Sequence, residues 1–205
     1  MNQLEGYQQE KRTIDLVKAN IFAILMVIPI VIVFGFPYYF IWKEDFVSSI
    51  SFHDLLPKIF EKKTGMYYVI LILGVIFHEL IHGIFWARYA KNGFKSIKFG
   101  VLWKMLTPYC HCKEPLKVKH YMIGAIMPAV VLGLVPAIVS IIIGSFGLLI
   151  LGMFFILAAG GDFMIINLLR KEDMENLVQD HPSEAGCYIY RKLENENDSQ
   201  KRKVI

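Results

Sequence analysis

The sequence predicts an all-α membrane protein of about four transmembrane helices, with a small cytoplasmic β-like loop between spans two and three. Three observations carry that prediction. The charges are segregated: Asn20 to Trp42 contains none, Thr64 to Ala87 contains only Glu79, and the fifty residues between Lys119 and Arg170 contain only Asp162. The charge-free runs are long enough, because a hydrocarbon core about 30 Å thick is crossed by about 20 apolar residues of helix. Lysine and arginine collect in alternate connecting segments, as expected when one side of a bilayer is cytoplasmic. Across the whole chain 55% of residues are hydrophobic and 20% charged, so the distribution decides the class more than the mean does.

Residues 1–19 are polar and mixed in charge and read as a short interfacial or frayed helix. The first span, about 20–42, follows Lys11, Arg12 and Lys18. Its uncharged run exceeds a signal-peptide core and no small-residue cleavage site follows it, so it is expected to be retained. The 43–65 loop carries Asp54 and the Lys58–Lys63 run, which suggest an amphipathic surface helix on the outer side; His53, between Phe52 and Asp54, reads as a solvated surface residue. The second span covers about 66–88.

Between spans two and three, Ser96 to Met105 shows short alternating stretches of β-formers, consistent with a hairpin or edge strand. Pro108 and Pro115 bracket Tyr109–Glu114 and mark a turn. Spans three and four, about 121–143 and 148–169, are separated by Gly144-Ser145-Phe146-Gly147, a tight helical-hairpin turn. Pro29, Pro37, Pro128 and Pro136 should kink spans one and three. Asp180-His181-Pro182-Ser183 reads as a helix start, with Asp180 or Ser183 capping. Residues 1–190 are thus expected to form one integral-membrane domain, followed by a disordered polar tail over 191–205.

Orientation follows from Lys and Arg counts: three before the first span, eight from Arg88 through the 89–120 loop, and seven in the C-terminal segment, against four in the 43–65 loop. Both termini and the middle loop should therefore face the cytoplasm of a cell-membrane protein. The net charge of +4 is explained by this bias, and no nucleic-acid partner is needed. Cys110, Cys112 and Cys187 fall on the same reducing side, which points to free thiols.

The chemistry lies in the second span, at His78-Glu79-Leu80-Ile81-His82. Histidines four apart project from one helical face, and two imidazoles in that arrangement can hold one Zn²⁺, with the intervening Glu79 placed as general base. Ionisable residues are expensive inside a bilayer and are functional by default.

A catalytic zinc usually takes three protein ligands. Asp162, in Gly160-Gly161-Asp162, lies eight residues from Arg170, as the motif lies about eight from Arg88, or about 12 Å of helix in each case. The two sites should be level, and the paired glycines should let the fourth span approach the second closely. His111, Glu114, His120 and His181 are weaker ligand candidates because each lies in or beside an aqueous segment. Cys110-His111-Cys112 is a weak candidate for a second metal site. Asn167 could serve as an oxyanion donor or a helix-packing group.

This pattern, HELIHG in the second span and GGD in the fourth, resembles the "putative zincin peptidase" family of small bacterial membrane proteins. The resemblance covers roughly residues 60–190 and includes Cys112-Lys113-Glu114-Pro115-Leu116, Pro128, Pro136 and Asp180–Ser183. It implies a distant likeness to site-2 proteases, whose later span supplies an Asp-Gly as third ligand; Asp162 matches that Asp, while Phe163 replaces the Gly and no Asn-Pro precedes it.

The expected activity is a membrane-embedded zinc metallopeptidase, with Zn²⁺ as cofactor and a membrane or membrane-proximal protein as substrate within the lipid bilayer. The metal ligands are expected to be His78, His82 and Asp162, with Glu79 catalytic. The alternatives are a catalytically inactive zinc-binding membrane scaffold and a metal transporter.

Overall fold

The computed structural model describes residues 4–44, 62–102, 107–182 and 184–193. Strand β1 (Tyr7–Thr13) leads into the first apolar helix, built from α1 (Leu16–Ile30), a π-helical stretch (Val31–Gly35) and α2 (Phe36–Ile41). Asp15 caps α1 by accepting from the backbone N–H groups of Val17 and Lys18 at 2.9 and 3.3 Å, so the helix starts where a side chain satisfies its first free donors. Helix α3 (Lys62–Tyr89) is one unbroken helix. It is followed by an antiparallel hairpin of β2 (Ile97–Leu102) and β3 (Thr107–Cys112).

A short strand β4 (Leu116–Lys117) opens the third apolar helix, α4 (Val118–Pro128), a π-helical stretch (Ala129–Leu134) and α5 (Val135–Ile143). The fourth consists of α6 (Phe146–Ala158) and α7 (Gly160–Leu169), bent by 42° at Ala159. Strands β5 (Leu177–Asp180) and β6 (Gly186–Lys192) complete the chain as described.

Three helical segments, Val17–Ile41, Tyr68–Tyr89 and Val118–Ile143, are long and apolar enough to cross a membrane, and the bent α6–α7 pair makes a fourth if it counts as one span. Their outward faces are apolar: Ile24, Ile72 and Ile142 are 69%, 62% and 71% exposed. Exposed apolar surface on this scale is suited to lipid rather than water. The prolines fall where the helices change pitch. Each π-helical stretch lies between two of them, Pro29 and Pro37 or Pro128 and Pro136, and the wider turn accommodates carbonyls that proline leaves without a donor. Gly144 closes α5 in the left-handed conformation (φ +74°), and the Ser145 side chain caps α6.

The all-α expectation is corrected by a four-stranded antiparallel sheet in the order β1-β6-β5-β4. Residues 7–13, expected as a frayed helix, pair with 186–192 from Tyr7–Lys192 to Thr13–Gly186. Asp180, expected at a helix start, instead ends a strand paired with β6, and β3 runs through Tyr109–Cys112 where a turn was expected. The reason is non-local pairing: β1 and β6 are each half of a ladder whose partner lies far away in sequence.

The sheet gathers the start of the first helix, the start of α4 and the segment after α7 at one end of the helices, so Tyr7–Thr13 and Gly186–Lys192 lie beside Leu116–Lys117. Glu10, Arg12, Glu172 and Arg191 lock this arrangement, with Arg12 2.7 Å and Arg191 2.9 Å from the buried Glu172 carboxylate. The expected outer-side helix of the 43–65 loop, apart from its edges, and the tail beyond Leu193 lie outside the described residues.

The core has two parts. One lies between the sheet and the adjacent helix ends, around Trp86, Val118, Tyr121, Val178 and Ile189. The other lies toward the opposite end, around Phe34, Tyr38, Ala137, Leu149 and Ile156.

Candidate metal centre

Helix α3 carries His78 and His82 one turn apart, and the 42° bend places Asp162 in the first turn of α7 facing them. Carboxylates are favoured in a first helical turn, where free N–H groups and the helix dipole present positive charge. His78 Nε2 lies 3.2 Å from Asp162 Oδ2 and His82 Nε2 lies 3.3 Å from Asp162 Oδ1. The potential ligand atoms of the three residues all fall within 4.8 Å of one another. Both histidines are buried, at 8% and 4% exposure.

The donor set fits a metal cation. His82 Nδ1 is 2.9 Å from the carbonyl oxygen of Gly124. A carbonyl only accepts, so Nδ1 carries the proton, and in the neutral ring Nε2 turns a lone pair toward the Asp162 carboxylate. Two facing lone pairs repel, and a cation between them turns that repulsion into ligation. His78 Nδ1 is buried without a hydrogen-bond partner, so this ring too is held for what lies at its Nε2. Zinc takes nitrogen and carboxylate oxygen ligands of this kind.

Glu79 stands outside the ligand group. The backbone N–H of Cys110, in β3, faces its carboxylate, and the hairpin lies along α3. Gly83 permits that approach, since a Cβ there would meet the Phe99 ring at 2.5 Å and Ile97 Cγ2 at 3.3 Å.

The glycines of the GGD segment act differently from expectation. A Cβ on Gly161 would meet nothing within 4 Å, and one on Gly160 would meet only Ala23 of α1 at 3.9 Å. They sit at the bend and make no close approach to α3. Close helix contact occurs instead at Gly74 against the Phe155 ring, and at Gly152, where a Cβ would lie 2.6 Å from Ala137 N.

The weaker candidates lie elsewhere. Glu114 accepts from the Lys91 N–H and from Asn92, His120 stacks on Tyr89 and His181 accepts from the Glu184 N–H. Asn167 is exposed, on the surface of α7. Among the described residues, no second group of three possible ligands converges, at Cys110-His111-Cys112 or elsewhere. All three cysteines are free thiols. Burial pushes the Cys112 thiol up to about 11 and Cys187 up to about 12.

Several residues around the site were missed in the sequence. Trp86 stacks on His82 (5.0 Å, 15°) and on Tyr121 (5.0 Å, 17°), and donates from Nε1 to the Tyr121 carbonyl at 3.0 Å. Gly124 gives the indole its space, since a Cβ there would lie 2.2 Å from Trp86 Nε1. The His82–Trp86 spacing of four is visible in the sequence as a shared helical face; the partners from α4 are not.

Taken together, these features define a mostly helical protein with apolar helices long enough for a membrane and a buried His-His-Asp constellation beside a glutamate. The chain belongs to the family described as "Putative zincin peptidase", whose pattern matches residues 71–175. That span is narrower than the 60–190 expected, and leaves β1, β5 and β6 outside it. Membership supports a metallopeptidase, a hydrolase for which zinc is the implied metal. No curated protein and no solved structure matches the chain.

Proposed function

We propose that this protein is a membrane-embedded zinc metallopeptidase that hydrolyses a peptide bond of a membrane or membrane-proximal protein. The observation that carries the reading is the convergence of His78, His82 and Asp162 from two separate helices, with Glu79 on the same turn but outside the ligand group. His78, His82 and Asp162 hold the metal. Bound zinc supplies Lewis acidity, which lets water ionise near neutral pH and polarises a carbonyl.

Glu79 takes the proton of the attacking water on its carboxylate and passes it to the leaving amine nitrogen. The Gly124 carbonyl fixes the His82 tautomer. The β2–β3 hairpin is two-stranded, so among the described residues the outer edge of β2 is unpaired and could take a substrate held extended, with main-chain hydrogen bonds supplying affinity. The positive-inside count supports a cytoplasm-facing site. A transporter reading is disfavoured, because a conduction path needs polar groups strung through several spans and here the possible ligands collect at one place.

The test is metal analysis and proteolysis with purified full-length protein. Wild type and Glu79→Gln should each hold one zinc per chain, while His78→Ala and Asp162→Ala should lose it. Glu79→Gln should lower cleavage by about 10²–10⁴-fold, the usual contribution of a general base. Full activity in Glu79→Gln, or unchanged zinc content in His78→Ala, would refute the assignment.

A further inference from the structure

Asp180 ends strand β5 and lies outside the constellation described above, yet its carboxylate joins two structures that reach it. One oxygen accepts from the Tyr121 hydroxyl. The other accepts from the backbone N–H of Cys112 at 2.8 Å, with His111 Nδ1 at 3.9 Å. From Tyr121 the path is short: its ring stacks on Trp86, which stacks on His82, and three residues along α4 the Gly124 carbonyl accepts from His82 Nδ1 at 2.9 Å. From Cys112 the path runs two residues back along β3 to Cys110, whose N–H faces Glu79. One carboxylate therefore ties both the helix that orients a metal ligand and the strand that lies over the general base.

We propose that Asp180 is a positioning residue of the metal centre: through Tyr121 and Cys112 it sets the placement of His82 relative to Glu79. The proposal rests on the zinc-peptidase reading and adds to it a residue from the sheet, beyond the segment that matches the family. A partly buried carboxylate serving only to dock the sheet would need any two donors. Here each donor belongs to an element that touches the site. Partners outside the ligand shell hold ligands in orientation, and their loss weakens metal binding even though the ligands remain.

Cobalt(II) serves as the probe, titrated into metal-free full-length protein in detergent, with the visible absorption bands reporting ligand geometry. Asp180→Asn keeps the shape but offers one carbonyl oxygen to two donors. Tyr121→Phe removes a single hydroxyl and keeps the stacked ring. Each variant should bind one cobalt with altered bands and roughly tenfold weaker affinity. The double variant should be little worse than Asp180→Asn alone, because the contribution of the Tyr121 hydroxyl runs through Asp180.

Wild-type bands and affinity in Tyr121→Phe, whatever its melting temperature, would overturn the proposal and leave Asp180 a sheet-docking group. If Asp180→Asn fails to fold, Tyr121→Phe decides alone. Failure of the wild type to bind cobalt would instead overturn the underlying metal reading, and this inference with it.

Discussion

In a Gly124→Ala variant the new methyl carbon would lie 2.2 Å from Cδ1 and Nε1 of Trp86, where non-bonded carbon contacts settle at about 3.5–4.0 Å. Relief requires a movement of roughly 1.3 Å. The indole cannot easily supply it. It is stacked between His82 and Tyr121 and its Nε1 is bonded to the Tyr121 carbonyl. Helix α4 must retreat, and the 2.9 Å bond from His82 Nδ1 to Gly124 then passes beyond the roughly 3.2 Å limit of a good N–H···O bond.

Overpacking of this kind costs about 1–3 kcal/mol of stability. Loss of the partner that orients a histidine ligand costs about 10–100-fold in metal affinity, or about 1.4–2.8 kcal/mol. The assay is competition for zinc between the metal-free protein and a chromophoric chelator. Gly161→Ala is the control, since nothing lies within 4 Å of its added carbon, and it should bind zinc like the wild type. Wild-type zinc affinity in Gly124→Ala would refute the claim that this carbonyl and its spacing orient His82.

Gly83→Ala would place a methyl 2.5 Å from the Phe99 ring and lift the hairpin from α3. Proteolytic kcat/KM should fall about tenfold or more with zinc content unchanged, as a metal assay beside a peptidase assay would show. The Cys187 thiol, fully buried and pushed up to about 12, should resist iodoacetamide in the folded protein at pH 8 and react after denaturation, read by mass spectrometry. Because the folded state holds that proton above the ordinary thiol value of 9.0, stability should fall as pH rises from about 9 toward 12. Its share of the slope approaches about 1.4 kcal/mol per pH unit between the two pKa values, and Cys187→Ala should make a series of melting curves shallower by that share.

The metal-binding half of the candidate site was legible because its signals are local. His78 and His82 share a helical face through spacing alone, and the helical pattern places four apolar segments near their observed positions. Asp162 was reachable by one further argument, since helix rise converts residue count into depth and depth paired it with the motif. Its glycines are not legible in the same way: a small residue permits a close approach without saying whether a neighbour makes one, and open space lies beside Gly161.

The sheet was the larger surprise. Tyr7–Thr13 alternates weakly and is mixed in charge, so nothing local separates it from a frayed helix until Gly186–Lys192 is brought alongside. Asp180 shows the same limit: beside Pro182 it has the character of a helix cap, and only the arrival of β6, Tyr121 and Cys112 makes it a strand end with a partly buried carboxylate.

By itself the sequence determined the apolar helices, the helical face that His78 and His82 share with Glu79 between them, and the pairing in depth of that motif with Asp162. Those properties depend on periodicity, rise and the cost of charge in an apolar medium, each acting within one segment. Tertiary structure decided the bend that aims Asp162, the tautomer of His82 and the hairpin over Glu79. It also decided the sheet that ties Tyr7–Thr13 to Gly186–Lys192 beneath them, because these depend on groups meeting from distant segments whose packing no single stretch encodes.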